Sequence, residues 1–364
     1  LDPYFSAPKF KWLIDNIPEI SEARSRGDLR LGGTESYVMN RLTQGEIHST
    51  EPGTASRTAL FNLYDVAWDE KLLDTFGLEE VQLPSVFSSC GKYGMACHKD
   101  FCGSKIPITA NAVDSHAALF AQGCNDSSTV KATYGTGAFI EINSGITPIK
   151  PDGNLLVFVA WEIDGQVNYA LEGGVFSVGS AIDWLVKSGL LSDAATSGDI
   201  AKQTTTTNGV VMVPCFSGLS APHWISNAKA SLMGLDLSTR PSHIVKALLD
   251  GIAFQCTDVI NALNNKIDNM VEEVRADGGP TNNKYLMQRQ ADLLGIPISV
   301  SLESEMTALG AAYLAAVGAN HMSSNDINSL KKNLITYEPS ITQDERESEL
   351  ECWHKTINHV INSL

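Results

Sequence analysis

The second half of the chain alternates between short apolar segments and amphipathic segments, and this alternation limits the fold more than any other feature. From Thr129 we predict two strand segments, VKATYGTGAFIEINSG and NLLVFVAWEIDGQVNYAL, with a hairpin turn at Asp164-Gly165 in the second. Helices and strands then alternate as SVGSAIDWLVKSGLL, GVVMVPCF, HIVKALLDGIAFQCTDVINALNNKI, EEVRADGG, NNKYLMQRQADLLG, IPISVSL and TALGAAYLAAVGA. This order predicts an α/β fold with a largely parallel or mixed sheet flanked by helices.

The residues before Thr129 predict shorter and less regular elements. KFKWLIDNIPEI predicts a short helix that stops near Pro18, and LFNLYDVAWDEKLLDTFGL predicts a turn and then a helix that ends at Gly77. A strand over residues 106–108 leads to Asp114 and to an alanine-rich helix that ends at Gly123. The pattern of predicted elements changes near residue 122, from short and irregular to regularly alternating. We therefore predict the domain boundary there.

Composition excludes some classes of function. The 364 residues are 43% hydrophobic and 19% charged, which fits a globular chain large enough for two domains. The formal net charge of −16 argues against a nucleic-acid partner, which needs clustered Lys and Arg. The sequence has no run of about 18 apolar residues, so we predict no membrane-spanning helix. We see no signal peptide, and the absence of an initiator Met leads us to expect that the start of the parent protein is missing.

The cysteine pattern predicts a reduced protein. Seven cysteines, an odd number, stand mostly singly within apolar runs, which is typical of buried thiols in the cytoplasm. One cluster, Cys90, Cys97, His98 and Cys102, raises the question of zinc. It lacks the paired CxxC spacing of structural zinc modules, so we expect a polar surface loop and assign no metal ligand.

The stretch KATYGTGAFIEI places Gly135 and Gly137 around Thr136 inside an apolar, strand-like segment. Glycine in a strand marks a place where something approaches the backbone closely. One interpretation is an anion-binding turn in which Thr136 adds a hydroxyl donor. The alternative is an ordinary hairpin turn, which this stretch alone favours.

A second glycine-rich turn, ADGGPTNN, joins a predicted strand to a predicted helix. Such a turn directs backbone amides and a helix N-terminus toward a ligand, or it is a loop with Thr281 or Asn282 as helix N-cap. Neither turn contains GxxxxGK[ST] or GxGxxG before a helix, so P-loop and Rossmann sites are excluded. Asp114 precedes a helix, where Asp is a favoured N-cap. Tyr4 and Phe139 alone are as typical of a core as of a ligand pocket.

Taken together, several motifs in one order resemble the FGGY carbohydrate kinases, and among them most the glycerol kinases. The resemblance runs from residue 1 to near the C-terminus. It is carried by YFSAPKFKWLIDN, the segment containing TASRTALFNLYDVAWDEKLL, VDSHAALF, TYGTGAF, NYALEGGVFSVGSAIDWL, VPCFSGLSAPHW, RADGGPTNNKYLMQRQADLLGIPI and EMTALGAAYLA.

This resemblance implies an actin-like ATPase fold, in which two ribonuclease-H-like domains close over a cleft. Residues 1–121 would be the remainder of the first domain, on the substrate side, and residues 122–364 the second, on the nucleotide side. The implied reaction is transfer of the ATP γ-phosphoryl group, with Mg²⁺, to a hydroxyl of glycerol in the cytoplasm, in a protein that forms a homodimer or homotetramer.

The resemblance also assigns roles to residues by position. Asp114 is the implied catalytic base, which accepts the proton of the attacking hydroxyl. The implied substrate-binding residues are Tyr4, Asp114, Ser115 and Phe139. The implied nucleotide-binding residues are Gly135, Thr136, Gly137, Gly179, Asp183, Gly279 and Asn283.

Four positions depart from the glycerol kinase pattern. Ser115 stands where a glutamine is usual, and Asp183 where a nucleotide-contacting glutamine is usual; Ile225 and Lys229 stand where Asp and Arg are expected. Neutral drift in a working enzyme is one interpretation. Ser115 favours a second interpretation, a kinase of erythritol, xylulose or ribulose, because a site built around one polar partner loses discrimination when that partner changes. The changes at residues 183, 225 and 229 favour a third, a catalytically silent homologue, although the retained Asp114 and YGTG turn argue against it.

The resemblance begins roughly a quarter of the way into a family member. The first phosphate loop, a metal-holding Asp and an Arg-Glu pair that grips glycerol would precede this chain. We therefore expect the chain alone to be inactive.

Overall fold

A computed structural model describes residues 4–97, 101 and 103–363. His98 and Cys102 of the cysteine cluster lie outside the described residues. The first part of the chain is built from short elements. Its helices are α1 Ser6–Asn16, α2 Pro18–Ser25, α3 Thr34–Leu42, α4 Pro52–Ser56, α5 Glu70–Phe76 and α6 Asp114–Gln122, and its strands are β1 Ser49–Thr50, β2 Phe61–Asn62, β3 Ala67–Trp68, β4 Ser85–Val86, β5 Cys90–Ala96 and β6 Ile106–Ala110.

The second part has longer elements. Its strands are β7 Thr129–Tyr134, β8 Ala138–Gly145, β9 Leu156–Ile163, β10 Gln166–Val175, β11 Val211–Val213, β12 Ser231–Met233, β13 Glu273–Asp277, β14 Ile298–Ser301 and β15 Leu334–Tyr337. Its helices are α7 Gly179–Lys187, α8 Ser197–Gln203, α9 Pro241–Asn264, α10 Lys284–Leu294, α11 Met306–Gly318, α12 Ser324–Asn328 and α13 Gln343–Asn362.

One mixed sheet organises the second part, in the order β15-β14-β13-β7-β8-β10-β9. β13 pairs in parallel with β7 on one side and with β14 on the other, whereas β8, β9, β10 and β15 join the sheet through antiparallel pairs. The predicted α/β class with a mixed sheet is therefore confirmed. The main hydrophobic core lies between this sheet and helices such as α9, whose residues from Ala247 to Ile260 are continuously buried.

The sequence was misinterpreted at several places. KATYGTGAFIEI forms two antiparallel strands, β7 and β8, joined by residues 135–137, because the glycines break the ladder that a single strand would need. By contrast, the predicted end of the first helix near Pro18 is confirmed: α1 ends at Asn16, and Pro18 begins a separate helix, α2, since Pro at the first helical position needs no N–H partner. Val113, not Asp114, is the N-cap of α6, and Asp114 is its first residue. Asn283, not Thr281 or Asn282, caps α10.

Helix α11 follows the sheet strand β14 but packs against α6, β5 and β6 of the first part. The approach is close enough that a Cβ on Gly310 would overlap the backbone oxygen of Ala117, and one on Gly318 that of Thr109. The orientation of α6 is therefore set partly by a helix from the second part. The boundary between residues 121 and 122 stays a prediction. Within the described residues, no helix combines the length and apolar character needed to cross a bilayer.

Candidate functional site

The two predicted glycine turns lie side by side at one edge of the sheet. β7 and β13 are parallel neighbours, with Thr133 opposite Asp277, and each strand ends in a glycine turn. Gly278 has a φ of 98°, and a Cβ there would overlap the backbone oxygen of Tyr134. The turns therefore touch at the carboxyl ends of neighbouring parallel strands, where α/β sheets bind their ligands.

The loop after β7 also contacts the start of α7. The N–H of Gly179 donates to the Gly135 oxygen at 3.0 Å, and the N–H of Val178 to the Thr136 oxygen at 2.9 Å. A Cβ on Gly137 would lie 2.5 Å from the Val175 oxygen, and one on Gly179 would lie 2.7 Å from the Gly135 oxygen. Gly137 and Gly179 are therefore required by the packing of this chain's own backbone.

Two other glycines have no such packing reason. Among the residues that the structure describes, a Cβ on Gly279 would meet nothing within 4 Å, and one on Gly135 would meet only the Gly137 oxygen, at 3.8 Å. Gly279 lines a cavity of about 270 Å³ together with Thr281 and Asn282. The open direction at Gly279 leaves room for a ligand to reach the backbone.

The remaining residues expected on the nucleotide side have structural contacts of their own. Asn283 caps α10 by accepting from the Leu286 N–H at 3.0 Å, and its amide donates to Ser197 Oγ at 3.2 Å. Asp183 is exposed on α7, one turn after Gly179. The structure thus brings Gly135, Gly179 and the 278–279 turn together, and it leaves Asp183 at the surface of the adjoining helix.

A largely apolar pocket of about 340 Å³ lies beside the loop after β7. Tyr4 and Phe139, the expected substrate contacts, line it together with Thr136 and Gly137 of the glycine turn. Glu172 contributes the one ionisable carboxyl group of the lining. The pocket therefore joins the expected polyol side to the expected phosphate side.

Asp114 is exposed at the first position of α6, and its carboxylate accepts the N–H of Ser115 at 2.7 Å. Neither Asp114 nor Ser115 belongs to the lining of the apolar pocket. Ser115 is connected to it indirectly, because Arg57 donates to both Ser115 Oγ, at 3.2 Å, and Tyr4 Oη, at 2.6 Å.

Behind the pocket, a row of charged side chains crosses the sheet. Lys131 on β7 is paired in register with Glu141 on β8, which is paired with Glu172 on β10. The Lys131 ammonium lies 3.4 Å from the Glu141 carboxylate, and their side chains are 1% and 0% exposed. Charged groups are this deeply buried only when they are paired.

Arg57 completes this cluster from the first part of the chain. It donates to Glu172 at 2.5 Å, lies 3.6 Å from a Glu141 oxygen, and stacks 4.1 Å above the ring of Phe158. His116 Nε2 lies 3.1 Å from the same guanidinium and must be the acceptor, because a guanidinium only donates.

The protonation states follow from this geometry. Burial lowers the pKa of His116 to about 3, and the Arg57 charge acts in the same direction, so the imidazole is neutral. Burial raises the pKa of Glu172 to about 7, against the opposing effect of Arg57 and with the support of the facing Glu141. Although burial opposes it, Lys131 with its neighbours keeps the pKa of Glu141 below the ordinary value. Glu141 therefore carries the charge while Glu172 holds a proton up to neutral pH.

The spacing of His116, Glu141 and Glu172 would also allow a metal ion, since their ligand atoms lie within 4.8 Å of one another. However, the Arg57 guanidinium already contacts all three side chains. Its positive charge, together with that of Lys131, opposes a further cation, so this cluster does not fit a metal.

Sequence reasoning missed this whole cluster. The available signal was a charged residue in the middle of an apolar strand, as at Lys131 in TVKATY, Glu141 in AFIEIN and Glu172 in YALEGGV. Arg57 and His116 gave no comparable signal, because they lie in short polar stretches.

The departures at Ile225 and Lys229 lie in the loop before β12. Ile225 forms a two-way backbone bridge with Leu219, at 2.9 and 2.8 Å, and Lys229 is exposed. Neither residue lines the apolar pocket. Their changes therefore leave the pocket's lining as it is.

Comparison with known proteins finds two matching domain families. Residues 1–121 match the N-terminal domain of the FGGY family of carbohydrate kinases, and residues 130–319 match its C-terminal domain. Glycerol kinase of Chromobacterium violaceum is 39% identical over 360 residues, which are 98% of this chain and 72% of that protein. Glycerol kinase of Bacillus subtilis is 38% identical over the same shares.

Solved structures of carbohydrate kinases superpose on this chain over nearly its whole length. Plasmodium falciparum glycerol kinase with ADP superposes with a TM-score of 0.92 at 34% identity, covering 99% of this chain and 72% of that one. A Lactobacillus acidophilus xylulose kinase superposes with a TM-score of 0.83 at 20% identity, covering 99% of this chain and 72% of that one, which is a likeness of fold alone.

Proposed function

The chain belongs to the FGGY family of carbohydrate kinases, and from this premise we propose that it transfers the γ-phosphoryl group of ATP to a hydroxyl of glycerol, giving glycerol 3-phosphate. One observation carries the proposal: the glycine turn at residues 135–137 lies at the sheet edge where the two glycine turns meet, and it also lines the pocket that holds Tyr4 and Phe139. Phosphoryl transfer needs this arrangement, because catalysis depends mainly on holding the two reactants in line.

On the nucleotide side, we assign the phosphates to the loop after β7 and the remainder of ATP to the turn at residues 278–283. Thr136 and Gly137 can provide backbone and hydroxyl donors, whereas the Gly135 N–H already donates to the Gly137 oxygen at 2.7 Å. The open direction at Gly279 admits the ligand. The family resemblance adds Gly179, Asp183 and Asn283 to this side. An acidic side chain at residue 183 is expected to weaken nucleotide binding when compared with glutamine.

On the substrate side, we assign the carbon chain of the polyol to the rings of Tyr4 and Phe139. The oxygen of the substrate hydroxyl attacks the γ-phosphorus, and the bond between the γ-phosphorus and the β-phosphate oxygen breaks. Asp114 accepts the proton of that hydroxyl during the attack. Because Asp114 is exposed at the start of a helix, its carboxylate is accessible to a substrate. Mg²⁺ would neutralise phosphate charge, and it binds through one or two carboxylates plus substrate phosphates; we assign it no ligand among the described residues, since Asp114 is the proposed base.

Ser115 favours a second candidate, a kinase of a longer polyol or of a ketose. Its side chain is shorter than the glutamine of the glycerol kinase pattern, and Arg57 binds its hydroxyl. The shortened side chain leaves space for a larger substrate, which erythritol, xylulose or ribulose would use.

We further propose that the protein acts in the cytoplasm. Every cysteine among the described residues is a free thiol, which suits a reducing compartment. Its oligomeric state stays a prediction.

The test is ATP-dependent phosphorylation by the full-length protein with Mg²⁺, offering glycerol, erythritol, xylulose and ribulose separately. We expect turnover of glycerol and its loss in Asp114→Asn, which keeps the shape but not the basicity of the side chain. Asp183→Gln is the matched control, since it also removes an exposed carboxylate but should tighten nucleotide binding. Turnover of another substrate alone would support the second candidate. ATP binding without turnover of any substrate would contradict a kinase and favour a silent homologue.

A further inference from the structure

The buried arginine between the two parts of the chain contacts both hydroxyls on the proposed polyol side. Arg57 donates through one terminal nitrogen to Tyr4 Oη at 2.6 Å and through the other to Ser115 Oγ at 3.2 Å. Its side chain is only 11% exposed. A planar guanidinium holds its partners in a fixed relative geometry, which a flexible ammonium group cannot do.

The arginine is itself held in place from behind. The bond from Arg57 to Glu172, at 2.5 Å, and the stack over Phe158, at 4.1 Å, restrain both the end and the plane of the guanidinium. Glu172 is in turn on the sheet, in register with Glu141. Thus the sheet determines where the two hydroxyls stand.

We propose that Arg57 is a positioning residue that sets the substrate preference of the polyol site, by fixing the hydroxyls of Tyr4 and Ser115 in place of an amide side chain at residue 115. This inference rests on the proposed polyol kinase function. A guanidinium only donates, so Ser115 Oγ accepts from Arg57 and directs its own O–H toward another acceptor. A substrate hydroxyl oxygen is such an acceptor, and the shorter side chain admits a polyol longer than glycerol.

The same geometry makes polyol binding depend on pH. Arg57 is faced by Tyr4, Ser115, His116, Glu141 and Glu172, and Lys131 lies behind Glu141. His116 stays neutral near pH 7, whereas burial raises the pKa of Glu172 to about 7. Above that pH the ionised Glu172 binds Arg57 more strongly, so the KM for the polyol should fall as pH rises through 7.

The central test compares Arg57→Lys with the wild type. Lysine keeps the charge but cannot hold two hydroxyls at once, so we expect the KM for the polyol to rise about 10- to 100-fold, as for loss of a charged hydrogen bond, with kcat nearly unchanged. Adding Ser115→Gln to Arg57→Lys should restore most of the affinity for glycerol, because the amide replaces the fixed hydroxyl. Glu141→Gln removes the facing carboxylate and should shift the pH dependence of KM below 7.

Arg289→Lys is the matched control. Arg289 is 13% exposed, binds Asp250 and Glu349, and lies 5.4 Å from the ring of Phe254, but it belongs to a different cavity. The Arg289→Lys variant should lose about as much stability as Arg57→Lys does, without a change in the KM for the polyol. Ser115→Ala is a second variant that leaves the buried charges intact and should raise KM by itself.

Equilibrium binding of glycerol and erythritol, measured by calorimetry, separates this inference from the proposed function. If the wild type binds a polyol without turnover and Arg57→Lys weakens binding, the inference stands although the kinase assignment fails. If the wild type turns over and both Arg57→Lys and Ser115→Ala keep its KM, the inference is overturned and the kinase assignment stands. A wild type that binds no polyol overturns both.

Discussion

The Gly279→Ala substitution tests whether the nucleotide approaches the backbone at residue 279, because it should weaken ligand binding without disturbing the packing of the loop. A Cβ at this position would meet no described residue within 4 Å, and Gly279 is not among the residues with positive φ. The free energy of unfolding should therefore change by less than about 0.5 kcal/mol. If the nucleotide approaches the backbone here, however, the methyl group intrudes on the ligand. An overpacking cost of about 1–3 kcal/mol corresponds to ADP binding about 5- to 150-fold weaker.

At the neighbouring Gly278, we expect the same substitution to lower the stability of the fold. Gly278 has a φ of 98°, and a Cβ there would overlap the Tyr134 oxygen, which belongs to the backbone and cannot move aside. Gly278→Ala should therefore cost about 1–3 kcal/mol for backbone strain and a further 1–3 kcal/mol or so for overpacking.

Calorimetric titration with ADP, together with urea unfolding followed by tryptophan fluorescence, measures both quantities. Gly91→Ala is the matched control, because Gly91 has an equally open Cβ direction but lies on β5, in the first part of the chain. It should change neither property. If Gly279→Ala binds ADP as tightly as Gly91→Ala does, the open direction is not the path of the nucleotide and our reasoning from the glycines is refuted.

Further predictions concern the buried charges and the packing of α6. Because burial lowers the pKa of His116 from 6.5 to about 3, the unfolded chain binds one more proton at this residue between those pH values. His116 by itself should therefore lower stability by about 1.4 kcal/mol per pH unit on acidification, whereas Glu172, with its pKa raised from 4.5 to about 7, acts in the opposite direction between those two values. The stability difference between the wild type and His116→Gln, from urea unfolding at several pH values, isolates the His116 contribution. Gly310→Ala, whose Cβ would overlap the Ala117 oxygen, should lower stability by about 1–3 kcal/mol, visible as a lower thermal midpoint, and an unchanged midpoint would contradict the close packing. Lys131→Met should cost up to about 3–5 kcal/mol by removing the nearer cation from the buried Glu141, which keeps its 3.6 Å pair with Arg57, and adding Glu141→Leu should recover much of this; equal stability of the single and double variants would refute the pairing.

Much of the fold could be predicted because its signals are local. The α9 sequence carries an apolar stripe long enough to identify a helix, and Gly77 and Gly123 end α5 and α6 in the left-handed conformation that favours glycine. The C-terminal helix α13 was missed although its signals exist. Thr342 and Glu345 form a capping box there, and Trp353 is the first of its buried residues.

The candidate site was harder to predict because it depends on contacts between distant residues. Gly135 and Gly137 look equivalent in sequence, yet only Gly137 is crowded by backbone, and that difference appears only when β10 is in place. In the same way, Arg57 meets Ser115 and Glu172 only through the fold. Residue type therefore suggested the chemistry, while the roles of individual glycines and charges required the tertiary structure.

A crystal structure of the full-length protein with ADP, Mg²⁺ and glycerol tests the central claim most directly. We expect the ADP phosphates at the loop formed by Gly135, Thr136 and Gly137. The glycerol chain should lie against Tyr4 and Phe139, with one hydroxyl about 2.6–3.2 Å from the Asp114 carboxylate, as a general base requires. A nucleotide bound away from the two glycine turns, or glycerol bound out of reach of Asp114, would contradict the account.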